Sequence, residues 1–148
     1  MTLEIDSSKQ GPLRGVRILD LATVVAAPFS GTLCADMGAE VVKVELPNGG
    51  DALRTLAPVW KEHELFWKVA NRGKKGITLD VRQAEGRNLF LRMLPLFDVL
   101  IENFGPGTMA RLGLDYAQIC DEFPRLIYLS LKGFLPGHYE TSSLLKNI

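Results

Sequence analysis

The run Glu102-Asn103-Phe104-Gly105-Pro106-Gly107 puts an amide side chain, an aromatic ring and two glycines around one turn. Glycine permits close backbone approach or a positive φ, and Pro106 stiffens the turn. Asn103 donates and accepts, so it can read an amide or a nucleobase edge. Phe104 offers a stacking face, and Arg111, shortly after, suits a phosphate. A plain strand-to-helix turn with a surface arginine explains the same residues. A second run, Asn71-Arg72-Gly73-Lys74-Lys75-Gly76, holds three cations within four residues. It reads as a phosphate loop or as a solvated charged turn. Arg54, Arg82 and Lys132 stand in or near other loops, which adds modest support for an anionic ligand. In the third run, Thr23-Val24-Val25-Ala26-Ala27-Pro28, small residues precede a helix and leave N–H groups for an anion or carbonyl.

Other chemistries are disfavoured by what is missing. There is no G-x-G-x-x-G fingerprint, no G-x-x-x-x-G-K-[ST] loop and no G-x-S-x-G elbow. Asp20, Asp36, Asp51, Asp80, Asp98 and Asp115 are spread out without a paired carboxylate or histidine. Asp80 and Glu102 read as structural acceptors at strand ends. His63 and His138 are isolated, so no metal set is expected. Cys34 and Cys120 sit in apolar helical patterns and read as buried free thiols in a reducing compartment.

These loops need a scaffold, and the apolar pattern supplies one. Strands are expected at Val16–Ala22, Glu40–Leu46, Gly76–Val81, Asp98–Glu102 and Leu126–Leu131. Helices are expected at Phe29–Met37, Glu62–Ala70, Gln83–Leu94, Thr108–Leu112 and Tyr116–Glu122, with Ala26–Pro28 as a turn. Strand and helix alternate, and several strands are continuous apolar runs. The expectation is an α/β, Rossmann-like domain: a mostly parallel sheet with helices on both faces. Ligands in such sheets bind beyond the carboxyl ends of the strands, where the loops Ala22–Pro28, Leu46–Asp51, Asp80–Gln83, Asn103–Gly107 and Lys132–Gly137 fall. The 148 residues suit one domain, which at this size buries roughly 70% of its unfolded surface. Lys+Arg and Asp+Glu are both 17, so no strong field favours nucleic acid or an anionic membrane. No apolar run approaches the roughly 20 residues of a membrane helix. A soluble cytoplasmic protein is expected. Residues 1–14 read as a loose lead and 141–148 as a tail that departs from the preceding pattern.

Across roughly Pro12 to Glu140 the ordered motifs resemble CoA-transferase family III, the CaiB/BaiF family. The residues that carry the resemblance are Gly15-Val16-Arg17-Ile18-Leu19-Asp20-Leu21 and Ala39-Glu40-Val41-Val42-Lys43-Val44-Glu45 with a following Gly-Asp pair. Asn71–Asp80, Glu102–Gly107 with Leu112-Gly113, and the strand Leu126–Gly133 complete the set. The resemblance implies that residues 15–140 are the N-terminal part of a CoA-binding large domain. It implies a CoA thioester and a small carboxylic acid as substrates, no metal, and an interlocked homodimer. Family CoA contacts carry over to Val25, Ala26, Leu79, Asp80, Arg82, Asn103, Phe104, Gly105 and Arg111. The family mechanism uses an aspartate nucleophile that forms an aspartyl-CoA thioester, and no aspartate here matches it. The chain is therefore expected to bind CoA without performing transfer, as a truncated, frameshifted or alternatively ended form. A 2-methylacyl-CoA racemase relative and a non-catalytic CoA-binding fragment are the alternatives.

Overall fold

A computed structural model describes residues 10–133. Most of the expected lead, the stretch from 134 and the tail 141–148 lie outside the described residues. Among the described residues seven strands appear in chain order: β1 Arg17–Asp20, β2 Glu40–Glu45, β3 Val59–Trp60, β4 His63–Glu64, β5 Lys75–Thr78, β6 Val99–Glu102 and β7 Ile127–Ser130. The helices are α1 Ala26–Asp36, α2 Leu65–Ala70, α3 Ala84–Met93, α4 Thr108–Leu112 and α5 Tyr116–Ile119. Five strands form one sheet in the order β5-β2-β1-β6-β7, with every neighbouring pair parallel.

Alternate residues of each strand serve opposite faces, because side chains in a strand have a period of two. Leu19, Leu21, Val44 and Leu100 join Phe90, Leu94, Met109, Leu114 and Ile119 in one core. Ile18, Val41 and Ile101 join Ala22, Ala27, Ala35 and Ala39 in the other, under α1. The doubly covered sheet expected from the continuous apolar runs is therefore present. Helix α1 turns its small residues, Ala27, Gly31 and Ala35, to the sheet, while Phe29, Leu33 and Met37 stay exposed.

Some boundaries differ from the sequence reading. Helix α1 starts at Ala26, so Pro28 lies inside its first turn rather than in a preceding loop. The first helical N–H groups have no intrahelical acceptor, which makes proline tolerable there. The expected helix Glu62–Ala70 starts at Leu65, because His63 and Glu64 pair with Trp60 and Val59 in a hairpin. Its turn residues Lys61 and Glu62 both have positive φ, at 45° and 63°. Without an Asn-Gly or Asp-Gly pair the sequence carries no signal for such a turn. The expected strand Gly76–Val81 ends at Thr78. Cys34 and Cys120 are free but half-buried, not buried. Among the described residues no helix is long and apolar enough to cross a membrane.

Gly86 lets α3 press against the loop that follows β5. A Cβ there would lie 2.1 Å from the Asp80 carbonyl oxygen. Glycine to alanine inside a helix ordinarily gains up to about 1 kcal/mol. Here the clash reverses the sign, and Gly86→Ala is expected to lose about 1–3 kcal/mol in urea unfolding. A raised midpoint would show that the loop does not bear on the helix.

Candidate functional site

The carboxyl ends of the strands carry the buried charges. Asp20 closes β1, Glu45 closes β2 and Glu102 closes β6, and each is nearly or fully buried. Lys43 is the register partner of Asp20 in the neighbouring strand and is 1% exposed. Its Nζ lies 2.9 Å from Asp51 Oδ2 and 3.9 Å from Asp20 Oδ1, and it donates to the Ala22 carbonyl. Asp20 Oδ2 takes the Lys74 ammonium at 2.7 Å. Lys74 also donates to the Pro28 carbonyl and to Asn71 Oδ1. Burial pushes the Lys74 ammonium below its ordinary value, opposed by the charge and hydrogen bond of Asp20. Lys74 is thus a structural cation buried under α1, and the phosphate-loop reading of the 71–76 run does not hold for it. Arg72 pairs on the surface with Asp36.

Beside this cluster lies a cavity of ≈ 310 Å³. Lys43 and Asp51 form part of its lining, with Leu21, Val44, Leu79, Val81 and Leu112 as apolar walls. Thr23, Arg82, Phe104, Thr108 and Arg111 also belong to the lining. Arg82 is held by Asp80, with Nε–Oδ1 at 2.7 Å and Nη2–Oδ2 at 2.8 Å. That hydrogen-bonded guanidinium keeps the Asp80 carboxyl below its usual range. Arg111 donates to the Thr108 hydroxyl and has no carboxylate at ion-pair distance among the described residues. Gly107, at φ 71°, makes room for it, since a Cβ there would lie 3.3 Å from Arg111 Nη1.

Two struts set the loop after β6. Asn103 Nδ2 donates to the Thr23 carbonyl and Oδ1 accepts from the Thr23 N–H, both at 2.8 Å. The amide that Asn103 reads is therefore the chain's own. Glu102 accepts from the Phe104 N–H, from Ser130 and from Lys132, and Lys132 also donates to the Phe104 carbonyl. Lys132 is thus tied to a buried carboxylate, and Arg54 likewise makes two bonds to Glu45.

The structure brings Leu79, Arg82, Phe104 and Arg111 to one cavity, with Asp80 bonded behind Arg82. Val25 and Ala26 lie outside its lining, at the start of α1. Gly105 faces a separate groove beside β7. The paired lysines and aspartates beside the main cavity were invisible as a cluster in the sequence. Their one signal was a lysine inside the apolar strand Val41-Val42-Lys43-Val44.

The model of CoA-transferase family III matches residues 13–143. The chain belongs to this family. It is 40% identical to an acetyl-CoA:oxalate CoA-transferase of Acetobacter aceti, over 90% of this chain and 34% of that protein. It is 39% identical to a formyl-CoA:oxalate CoA-transferase of Rhodopseudomonas palustris, over 92% of this chain and 32% of that one. A CaiB/BaiF family protein of Brucella suis has a solved structure that matches with a TM-score of 0.83 at 38% identity. That match covers 91% of this chain and 37% of the Brucella chain. The chain thus spans about a third of the length of the family III relatives it matches.

Glu45 provides a test of the electrostatics. Burial raises its pKa, but hydrogen bonds from Arg54 and the Asp51 N–H, with the charges of Arg54 and Lys43, hold it below 4.5 overall. A lowered carboxylate contributes stability above its unfolded pKa and loses it as pH falls through the folded value. The stability difference between wild type and Arg54→Gln is expected to be present near about pH 6 and to shrink below about pH 4. A difference independent of pH would remove the ion pair as its cause.

Proposed function

We propose that the chain binds a coenzyme A thioester in the cavity at the strand ends, as the CoA-binding part of a family III CoA-transferase. The observation that carries this is the pairing of a Phe104-faced apolar cavity with Arg111, a cation facing no carboxylate among the described residues. CoA offers a matching combination: an aromatic base for the ring and phosphates for the guanidinium. Membership in the family supports the assignment. Leu79, Asp80, Arg82, Phe104 and Arg111 are the proposed contacts around the cavity. Val25 and Ala26, at the start of α1, and Asn103 and Gly105, in the turn after β6, are proposed contacts beyond the cavity lining.

In the proposed reaction an aspartate carboxylate of the enzyme attacks the thioester carbonyl, giving a mixed anhydride and CoA thiolate. The thiolate then attacks the enzyme's aspartyl carbonyl, giving an aspartyl-CoA thioester and releasing the first acid. A small carboxylic acid is the acceptor. The described carboxylates near the cavity suit structure better than attack. Asp51 and Glu45 are each ion-paired, and Asp80 is bonded to Arg82 at both oxygens. The proposed share of this chain is therefore CoA binding, with the nucleophile supplied from outside these residues. The proposed homodimer would cover the exposed stripe Phe29, Leu33 and Met37 on α1.

Arg111→Ala is expected to weaken CoA binding by about tenfold, the scale of one charge-assisted hydrogen bond. Asn103→Ala is expected to weaken it too, by releasing the Thr23 strut. Unchanged calorimetric affinity in both variants would remove the site. The pure 148-residue chain is expected to show no CoA transfer between acids. Turnover at rates typical of intact enzymes would contradict the division of labour.

A further inference from the structure

The turn after β1 is strained. Val24 has φ 66°, in the left-handed region, which a β-branched residue enters only at a cost. Its neighbour Thr23 lines the cavity, and the next residue, Val25, is the N-cap of α1. The strain is opposed from one direction by Asn103, which takes both backbone groups of Thr23. From another it is opposed by Asp51, whose Oδ1 accepts the Val24 N–H at 2.9 Å across 27 positions of sequence.

Asp51 is held by backbone hydrogen bonds at Oδ1 and at its own N–H, and by an ion pair at Oδ2. Oδ1 also accepts the Leu53 N–H at 2.9 Å, Oδ2 faces the Lys43 ammonium at 2.9 Å, and its own N–H donates to Glu45 at 2.8 Å. Lys43 reaches the same turn from the sheet side, through the Ala22 carbonyl. Both side chains are nearly fully buried, yet both line the cavity. The pair thus meets both the cavity and the strained turn.

We propose that Asp51 and Lys43 are positioning residues for the CoA thioester: together they hold the Thr23–Val24 turn in the left-handed conformation that shapes one wall of the cavity and aims the start of α1. This rests on the CoA-binding reading above. The two carboxylate oxygens divide the work. One takes the turn's N–H, and the other satisfies the buried ammonium. An asparagine at this position has one acceptor oxygen for both demands. The lysine, a charged donor, takes it, and the amide NH₂ then faces the Val24 N–H, donor against donor.

The test uses the full chain, CoA calorimetry and amide hydrogen exchange. Asp51→Asn is expected to weaken CoA binding about tenfold and to speed exchange of the Val24 amide. Adding Val24→Gly should recover a large part of the lost affinity, because glycine adopts positive φ without help. The same Val24→Gly change in an Arg111→Ala background should recover nothing. Rescue in both backgrounds, or in neither, overturns the proposal, as does Asp51→Asn binding as tightly as wild type. A wild-type chain that binds no CoA instead overturns the reading beneath it. Should Asp51→Asn not fold, exchange in the wild type decides: the Val24 amide is expected to be strongly protected, and free exchange overturns the proposal.

Discussion

A lysine sealed inside the second strand dictates the rest of this molecule. Lys43 stands where its neighbours are valines, and it is nearly fully buried. Burying an unpaired charge is prohibitive, and removing one partner of a buried pair typically costs about 3–5 kcal/mol. Asp20, its register partner in β1, and Asp51, in the loop after β2, supply the counter-charges. Asp20 in turn needs Lys74, which ties in the approach to β5 and the first turn of α1. Four charges of zero net sum thus join three strand ends and a helix. None of those segments is free to settle without the others.

The consequence for chemistry is a division between inner and outer charge. The inner set is satisfied internally and shapes the wall of the cavity. The outer set is thinner, because Arg82 already holds Asp80. Among the described residues Arg111 has only a hydroxyl as its side-chain partner, and in the proposed reading it is left to meet an anion. In the proposed reading, a cavity shaped by buried pairs, with Arg111 presented outward, receives an anionic thioester. The same satisfaction makes its carboxylates poor nucleophiles. Each would have to abandon a lysine or arginine first.

The sheet was legible because its strands are continuous apolar runs such as Val99-Leu100-Ile101, which only a doubly covered sheet can bury. The turn 102–107 was legible because two glycines and a proline punctuate it. The roles of the charged residues were not. The run 71–76 looks like a phosphate loop, yet Lys74 is drawn inward by an aspartate 54 positions away. Asn103 looks like a ligand reader, yet its partner is a backbone 80 positions away. Strand register makes these pairs, and spacing along the chain carries no record of it. The hairpin at Lys61–Glu62 escaped for a local reason: two positive-φ residues of types that rarely adopt them.

The most direct measurement is an amide NMR titration of the isotope-labelled chain with coenzyme A. The account predicts shift changes concentrated at Thr23, Leu79, Arg82, Phe104 and Arg111, around one cavity. Changes confined to the opposite end of the sheet, around Phe97 and Phe123, or no changes at all, would contradict it.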